Sequence, residues 1–143
     1  MTAQLPVADF MQRQLLECDV STPVGEAAAR MRDARCGSIV VMAEGKPAGI
    51  WTETDALAGR WHSARDLDQP VSRFMSSPVR TILPQVSLEE AARRLRLERL
   101  RHLLVVDAEG VHLGMISQTD VVRHQGVAFF LHARDVASVV KEA

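Results

Sequence analysis

The chain has 143 residues, 47% of them hydrophobic, with 17 Lys and Arg against 18 Asp and Glu. That length suits one ordinary domain or two very small halves, and the composition provides for a buried core rather than for disorder. The near balance of charge leaves no global pull toward nucleic acid or membrane, and no apolar run approaches the ~18 residues that a bilayer crossing requires. The two cysteines, Cys18 and Cys36, make no disulfide framework and read as small buried thiols. The first residues lack the basic start and long apolar stretch of a secretory signal, so a cytoplasmic chain is expected.

In chain order, Pro6-Val7-Ala8-Asp9-Phe10-Met11 reads as a short opening helix with Phe10 and Met11 in the core. An extended stretch over 15–20 follows. A clear helix comes next. Thr22 is placed to cap it, Pro23 fits its first turn, and Val24, Ala27, Ala28, Met31 and Ala34 share one face. Two apolar runs, 38–42 and 48–52, flank Glu44-Gly45-Lys46-Pro47 and read as a β-hairpin whose glycine supplies a positive φ. Both runs are continuously apolar rather than alternating, which predicts a sheet covered on both faces. The second run ends in Gly49-Ile50-Trp51-Thr52-Glu53-Thr54-Asp55 and leads into a helix at Ala56-Leu57-Ala58. The polar connector 60–69, with Trp61 placed to pack under it, marks a boundary.

Beyond the connector the series begins again. Pro70-Val71-Ser72-Arg73-Phe74-Met75 repeats the opening phrase 64 positions later, and 79–83 repeats the extended stretch. Ser87-Leu88-Glu89-Glu90 reads as a capping box, with Leu88, Ala91, Ala92 and Leu95 on the buried face. A second hairpin joins 102–107 to 111–117 around Glu109-Gly110. It closes with Gly114-Met115-Ile116-Ser117-Gln118-Thr119-Asp120 at an offset of 65, so one residue has been added before the hairpin glycine. Residues 1–64 and 65–126 are therefore two repeats. Residues 127–143, with Phe129, Phe130, Val136, Val139 and Val140, read as a C-terminal helix for coupling or dimerisation. The fold class is α/β (α+β), each repeat running helix, extended piece, helix, strand, strand, helix. Neither half of ~65 residues would bury enough surface alone, so the sheets are expected to pack on one another.

The doubled phrase carries the chemistry. A strand that ends in hydroxyls, with a carboxylate at a helix start, suits a sugar-phosphate. Backbone N–H groups there meet phosphate, and an ionised Asp accepts from two vicinal ribose hydroxyls. The plainer reading is that Asp55 and Asp120 only cap their helices, worth about 1 kcal/mol. The five histidines show no metal-ligand spacing. No nucleophile elbow, phosphate-loop lysine or Cys–His constellation is present, so no catalytic residue and no metal are assigned, and the chain reads as no enzyme. Glu89 and Glu90 with Arg93, Arg94 and Arg96 read as surface pairs one turn apart, and Met31, Met42, Met75 and Met115 as core.

Together the Glu-Ala-Ala helix, the apolar strand and the Gly-x-x-(Ser/Thr)-x-Thr-Asp phrase, all in two copies, resemble a tandem pair of cystathionine-β-synthase (CBS) domains, a Bateman module, over roughly residues 5–126. The resemblance implies a regulatory module that binds AMP, ADP or ATP in clefts between the repeats. S-adenosylmethionine or a cyclic dinucleotide are lesser alternatives, no cofactor is required, and homodimers are common. Residue by residue, Asp55 and Asp120 match the ribose-binding aspartates, and Thr52, Thr54, Ser117 and Thr119 match hydroxyls near ribose and phosphate. Thr81 matches a threonine that approaches the ligand, and Arg101-His102 match a basic pair used on phosphate. The first repeat has Glu17 and Gly37-Ser38 in those places, so the two clefts should differ in affinity. Residues 121–127 and the helix after them weakly resemble the joint to a downstream signalling domain such as a diguanylate cyclase. The competing reading is a ligand-free dimerisation scaffold within a larger signalling protein. Neither nucleic acid nor membrane is an expected partner.

Overall fold

The computed structural model describes residues 5–133. It divides into two compact units, and the division does not follow sequence order: one is Gln14–Val79, the other joins Met1–Arg13 to Arg80–Ala143. The Pro-Val-x-x-Phe-Met phrase that opens each repeat thus belongs to the unit built on the other repeat's sheet.

Within Gln14–Val79 run β1 (Glu17–Asp19), α1 (Val24–Ala34), β2 (Ser38–Ala43), β3 (Lys46–Thr52) and α2 (Glu53–Ala58), then 3-10 turns at Ala64–Asp68 and Val71–Arg73. The other unit has a 3-10 turn at Val7–Asp9, then β4 (Thr81–Ile82), α3 (Leu88–Leu97), β5 (His102–Val106), β6 (His112–Ser117), α4 (Gln118–Gln125) and α5 (Val127–Leu131). The opening phrases are therefore single 3-10 turns. The two extended stretches become a third strand in each sheet, giving orders β1-β2-β3 and β4-β5-β6. β1 lies parallel to β2 and β4 parallel to β5, while each hairpin is antiparallel.

The added residue of the second repeat is explained by its turn. The first hairpin turns through two residues of positive φ, Glu44 at 51° and Gly45 at 78°. The second is longer, and Asp107 organises it by accepting the N–H groups of Glu109 and Val111 on Oδ1 at 2.9 Å each.

Strand alternation sends Ile39, Val41 and Trp51 into a core with Val24, Ala27 and Met31 of α1. Leu103, Val105 and Ile116 meet Leu88, Ala91, Ala92 and Leu95 of α3. Val40, Ile50, Leu104 and Met115 point from the opposite faces and are also buried, as continuous apolar strands require. Trp61 packs on Phe74 with ring centroids 5.0 Å apart, and its indole N–H donates to the Ala56 carbonyl at 2.7 Å. Cys18 is buried, which pushes its thiol up from the ordinary value. Cys36 is only half-buried, contrary to the expectation for both thiols.

Two expected caps are different in fact. Thr22 does not cap α1; its Oγ1 accepts the Asp19 N–H, and Pro23 is the N-cap residue without a side-chain bond. The open Val24 N–H is taken instead by the Gln69 carbonyl at 2.8 Å, and the Leu88 N–H of α3 by the Leu5 carbonyl at 2.6 Å. Ser87 does accept from the Glu90 N–H, but no reciprocal bond forms, because the Glu90 carboxylate is held by Arg93 at 2.8 Å and Arg94 at 2.7 Å. Arg96 is not part of that cluster. Its guanidinium donates to main-chain carbonyls of Phe130, Leu131 and Ala133, fastening α5. α5 packs on α3 and α4; the rest of the expected C-terminal helix lies outside the described residues. No helix among the described residues is long and apolar enough to cross a membrane.

The motif glycines are fixed by a close crossing. A Cβ on Gly114 would lie 2.6 Å from Met11 Sδ and 2.7 Å from the Gln12 carbonyl oxygen; on Gly49 it would meet Met75 Sδ, with the Ser76 carbonyl at 2.9 Å. Backbone pairs run beside both, Gln12 with Met115 and Ser76 with Ile50. A thioether can swing aside but a paired carbonyl cannot, so Gly114→Ala should lose about 1–3 kcal/mol in urea unfolding; a loss under ~0.5 kcal/mol would contradict the crossing. Glu90 supplies a pH test. Its arginine partners hold the carboxyl below its ordinary 4.5, so its contribution is complete above that value and lost as pH falls through the depressed one. Glu90→Gln should therefore flatten the stability profile below about pH 4.5; an unchanged acid limb would refute the pairing.

Candidate functional site

Both Thr-Asp phrases fold into the same corner. Thr52 ends β3 and is the N-cap of α2; its Oγ1 accepts the Asp55 N–H at 3.1 Å, and Asp55 Oδ2 accepts the Thr52 N–H at 3.0 Å. Ser117 and Asp120 repeat the arrangement at the start of α4 with the same two distances. The reciprocal capping box sought at Ser87 is found here instead. Each aspartate sits in the first helical turn with its Oδ2 accepting the N-cap amide.

The corners differ in burial. Asp55 is half-buried. Asp120 is 5% exposed, and its Oδ1 receives the Gln12 side-chain amide at a long 3.4 Å. Gln12 follows the Phe-Met of the opening phrase, where the other copy has Ser76. Sequence reasoning did not single it out, although this inequality between the copies was its available signal.

Most first-turn amides are already engaged. Besides the box bonds, the Glu53 N–H donates to the Gly37 carbonyl and the Gln118 N–H to the Arg101 carbonyl. Among the described residues this leaves the N–H of Thr54 and of Thr119 as the amides open to an anion. Both residues are exposed. A bare helix N-terminus therefore offers less to phosphate than the sequence suggested.

Register assembles the remaining residues. His102 pairs with Ser117, and Thr81 pairs with Leu104, itself opposite Met115. Residues paired across a sheet share a face, so Thr81, His102 and Ser117 stand together on the side away from α3. Arg101 is exposed and its carbonyl holds the first amide of α4. In the Gln14–Val79 unit the matching face presents Glu17, Ser38 and Thr52. Thr119 stands apart from the sheet face and lines a depression of about 460 Å³ with Val122, Arg123 and Phe130. Among the described residues no cluster of three or more His, Cys, Asp or Glu could hold a metal.

A family model for the CBS domain matches residues 7–61 and again 71–126. CBS domain-containing protein YhcV of Bacillus subtilis (strain 168) is 29% identical over 119 residues, covering 83% of this chain and 84% of that protein. Among solved structures, an uncharacterized conserved protein from Pyrococcus horikoshii aligns with a TM-score of 0.72 at 28% identity, over 87% of this chain and 94% of that one. The structure of CBSX2 in complex with AMP aligns with a TM-score of 0.70 at 26% identity, over 84% and 95%.

The corner geometry sets a stability expectation independent of any ligand. Ser117→Ala removes the cap acceptor and should cost about 1 kcal/mol in urea unfolding, with Ser117→Thr near wild type. Equal stability of the alanine variant would show that the box does not hold α4.

Proposed function

The chain belongs to the CBS-domain family as a tandem pair, and from that premise we propose that it is a regulatory, non-catalytic module that senses an adenosine nucleotide of the AMP, ADP or ATP class. The observation that carries this reading is the doubled corner. Each aspartate accepts its N-cap amide on one oxygen, in the same local geometry at the end of its strand. At Asp120 the other oxygen receives a long bond from the exposed Gln12 that a ribose hydroxyl can replace. The AMP bound by CBSX2, a relative by fold and at 26% identity, supports the ligand class.

In this reading Asp120 and Asp55 accept ribose hydroxyls, with Ser117 and Thr52 beside them. Thr119 and Thr54 offer an amide and a hydroxyl to phosphate, Thr81 meets the ligand from β4, and Arg101 and His102 supply positive charge. Those last three have Glu17, Gly37 and Ser38 as counterparts, so the Asp120 corner is the tighter site. Binding redistributes the module between arrangements only by its differential affinity for them. The output is read by a partner copy in a homodimer or by an attached signalling domain, in the cytoplasm. One observation favours a second reading, the ligand-free scaffold: both carboxylates already serve as caps, and Asp120 is nearly closed off.

Thermal melting with AMP, ADP and ATP separates the two. A nucleotide at 100 times its Kd adds about 2.7 kcal/mol, several degrees at this size. Asp120→Asn retains an oxygen for the Ser117 N–H while turning a donor toward the ribose; it should abolish most of the shift, and Asp55→Asn less. No shift with any of the three favours the scaffold, and an undiminished shift in Asp120→Asn refutes the assigned site.

A further inference from the structure

The two corners are unequal at one residue of the opening phrase. The main chain of Gln12 is fixed by its two-way pair with Met115, at 2.7 and 2.9 Å. From that anchor the side chain reaches Asp120, 108 positions along the chain, and its Nε2 donates to Oδ1 at 3.4 Å. Asp120 is buried and Gln12 is exposed, so a residue open to solvent supplies a donor to a closed-in carboxylate. In the other copy Ser76 holds the same place, with the same two-way pair to Ile50 at 3.1 and 2.8 Å. A serine hydroxyl is shorter than a glutamine carboxamide, and the aspartate of that corner, Asp55, is half-buried.

The Gln12 contact can be given up at small cost. A separation of 3.4 Å is long for an amide donor, and water takes up a released carboxamide at an exposed position. Neither the main-chain pair of Gln12 nor the bond from the Ser117 N–H to Oδ2, at 3.0 Å, depends on it. The fold therefore stands whether or not the side chain is on Asp120. What the contact does is keep a donor on a buried carboxylate oxygen, where a missing one is costly.

We propose that Gln12 is an internal competitor for the Asp120 corner. Its carboxamide occupies the acceptor that a ribose hydroxyl needs, and so sets the nucleotide concentration at which this corner fills. The inference rests on the nucleotide reading above and adds a regulation to that site. In the empty state Gln12 satisfies Asp120 Oδ1; a nucleotide enters only by displacing it. The bond is present before binding and absent after it, so its strength is subtracted from the affinity. Gln12 thereby narrows the advantage that Thr81, Arg101 and His102 give this corner over the one at Asp55.

The test compares three full-length chains, all carrying Asp55→Asn so that the Asp120 corner dominates. One keeps Gln12, one has Gln12→Ser, the residue of the other copy, and one has Gln12→Met, which retains the chain and loses the donor. AMP affinity is read by titration calorimetry and stability by urea unfolding with and without AMP. Both variants should bind AMP roughly three- to tenfold more tightly. Without ligand they should be less stable than the Gln12 chain, and the gap should close at saturating AMP. Tightening by Gln12→Ser alone assigns the effect to bulk and overturns the competition. Unchanged or weaker AMP binding by both variants, where the Gln12 chain binds, overturns it as well and leaves the nucleotide reading standing. No AMP binding by any of the three overturns both.

Discussion

The contact on which the structure turns is a main-chain segment lying flat across a strand at a residue with no side chain. Met11 and Gln12 cross β6 at Gly114, and Met75 and Ser76 cross β3 at Gly49, each pinned by a two-way backbone pair. Any Cβ there would collide with a carbonyl already committed to that pairing. The same segments supply the carbonyls that finish the N-termini of α1 and α3, where no side-chain acceptor reaches the first open amide. One short phrase per repeat therefore places the sheet, the helix upon it and the corner beyond the strand. The opening phrase of each repeat is thereby spent on the sheet of the other, and one of the two units joins the start of the chain to its second half.

The corner is built from the next three links. A strand-end hydroxyl and an aspartate three residues on satisfy each other's backbone amides, so the carboxylate is immobilised by the fold itself. That is economical for recognition, since little side-chain freedom remains to be lost when a ligand arrives. It also explains why an aspartate there is not by itself a sign of binding. The distinction lies in the carboxylate's surroundings: Asp55 is half-buried, whereas Asp120 is buried and its Oδ1 is met by Gln12.

Much of this was legible in the residues. Periodicity placed α1 and α3, and the repeat register of Gly, Ser or Thr, and Asp located both corners, because hairpins and capped helices are set by local chemistry. What escaped was decided by distant partners. Thr22 looks like a cap in the sequence, but its hydroxyl is taken by Asp19 because Gln69, far along the chain, completes the helix start. Glu90 looks like the return half of a capping box, but two arginines one turn ahead hold it. The exchange of opening phrases could not be read from either copy, since each phrase fits its own repeat and the other equally well. Gln12 was missed for the same reason, as its importance comes from Asp120, 108 positions away.

The most direct measurement is a crystal structure of the chain grown with AMP. Ribose hydroxyls on Asp120 Oδ1, with Gln12 turned aside and Asp120 Oδ2 still accepting the Ser117 N–H, is the predicted result. Nucleotide bound elsewhere, with both aspartates holding only their own helices, would contradict the assignment of these corners as the ligand site.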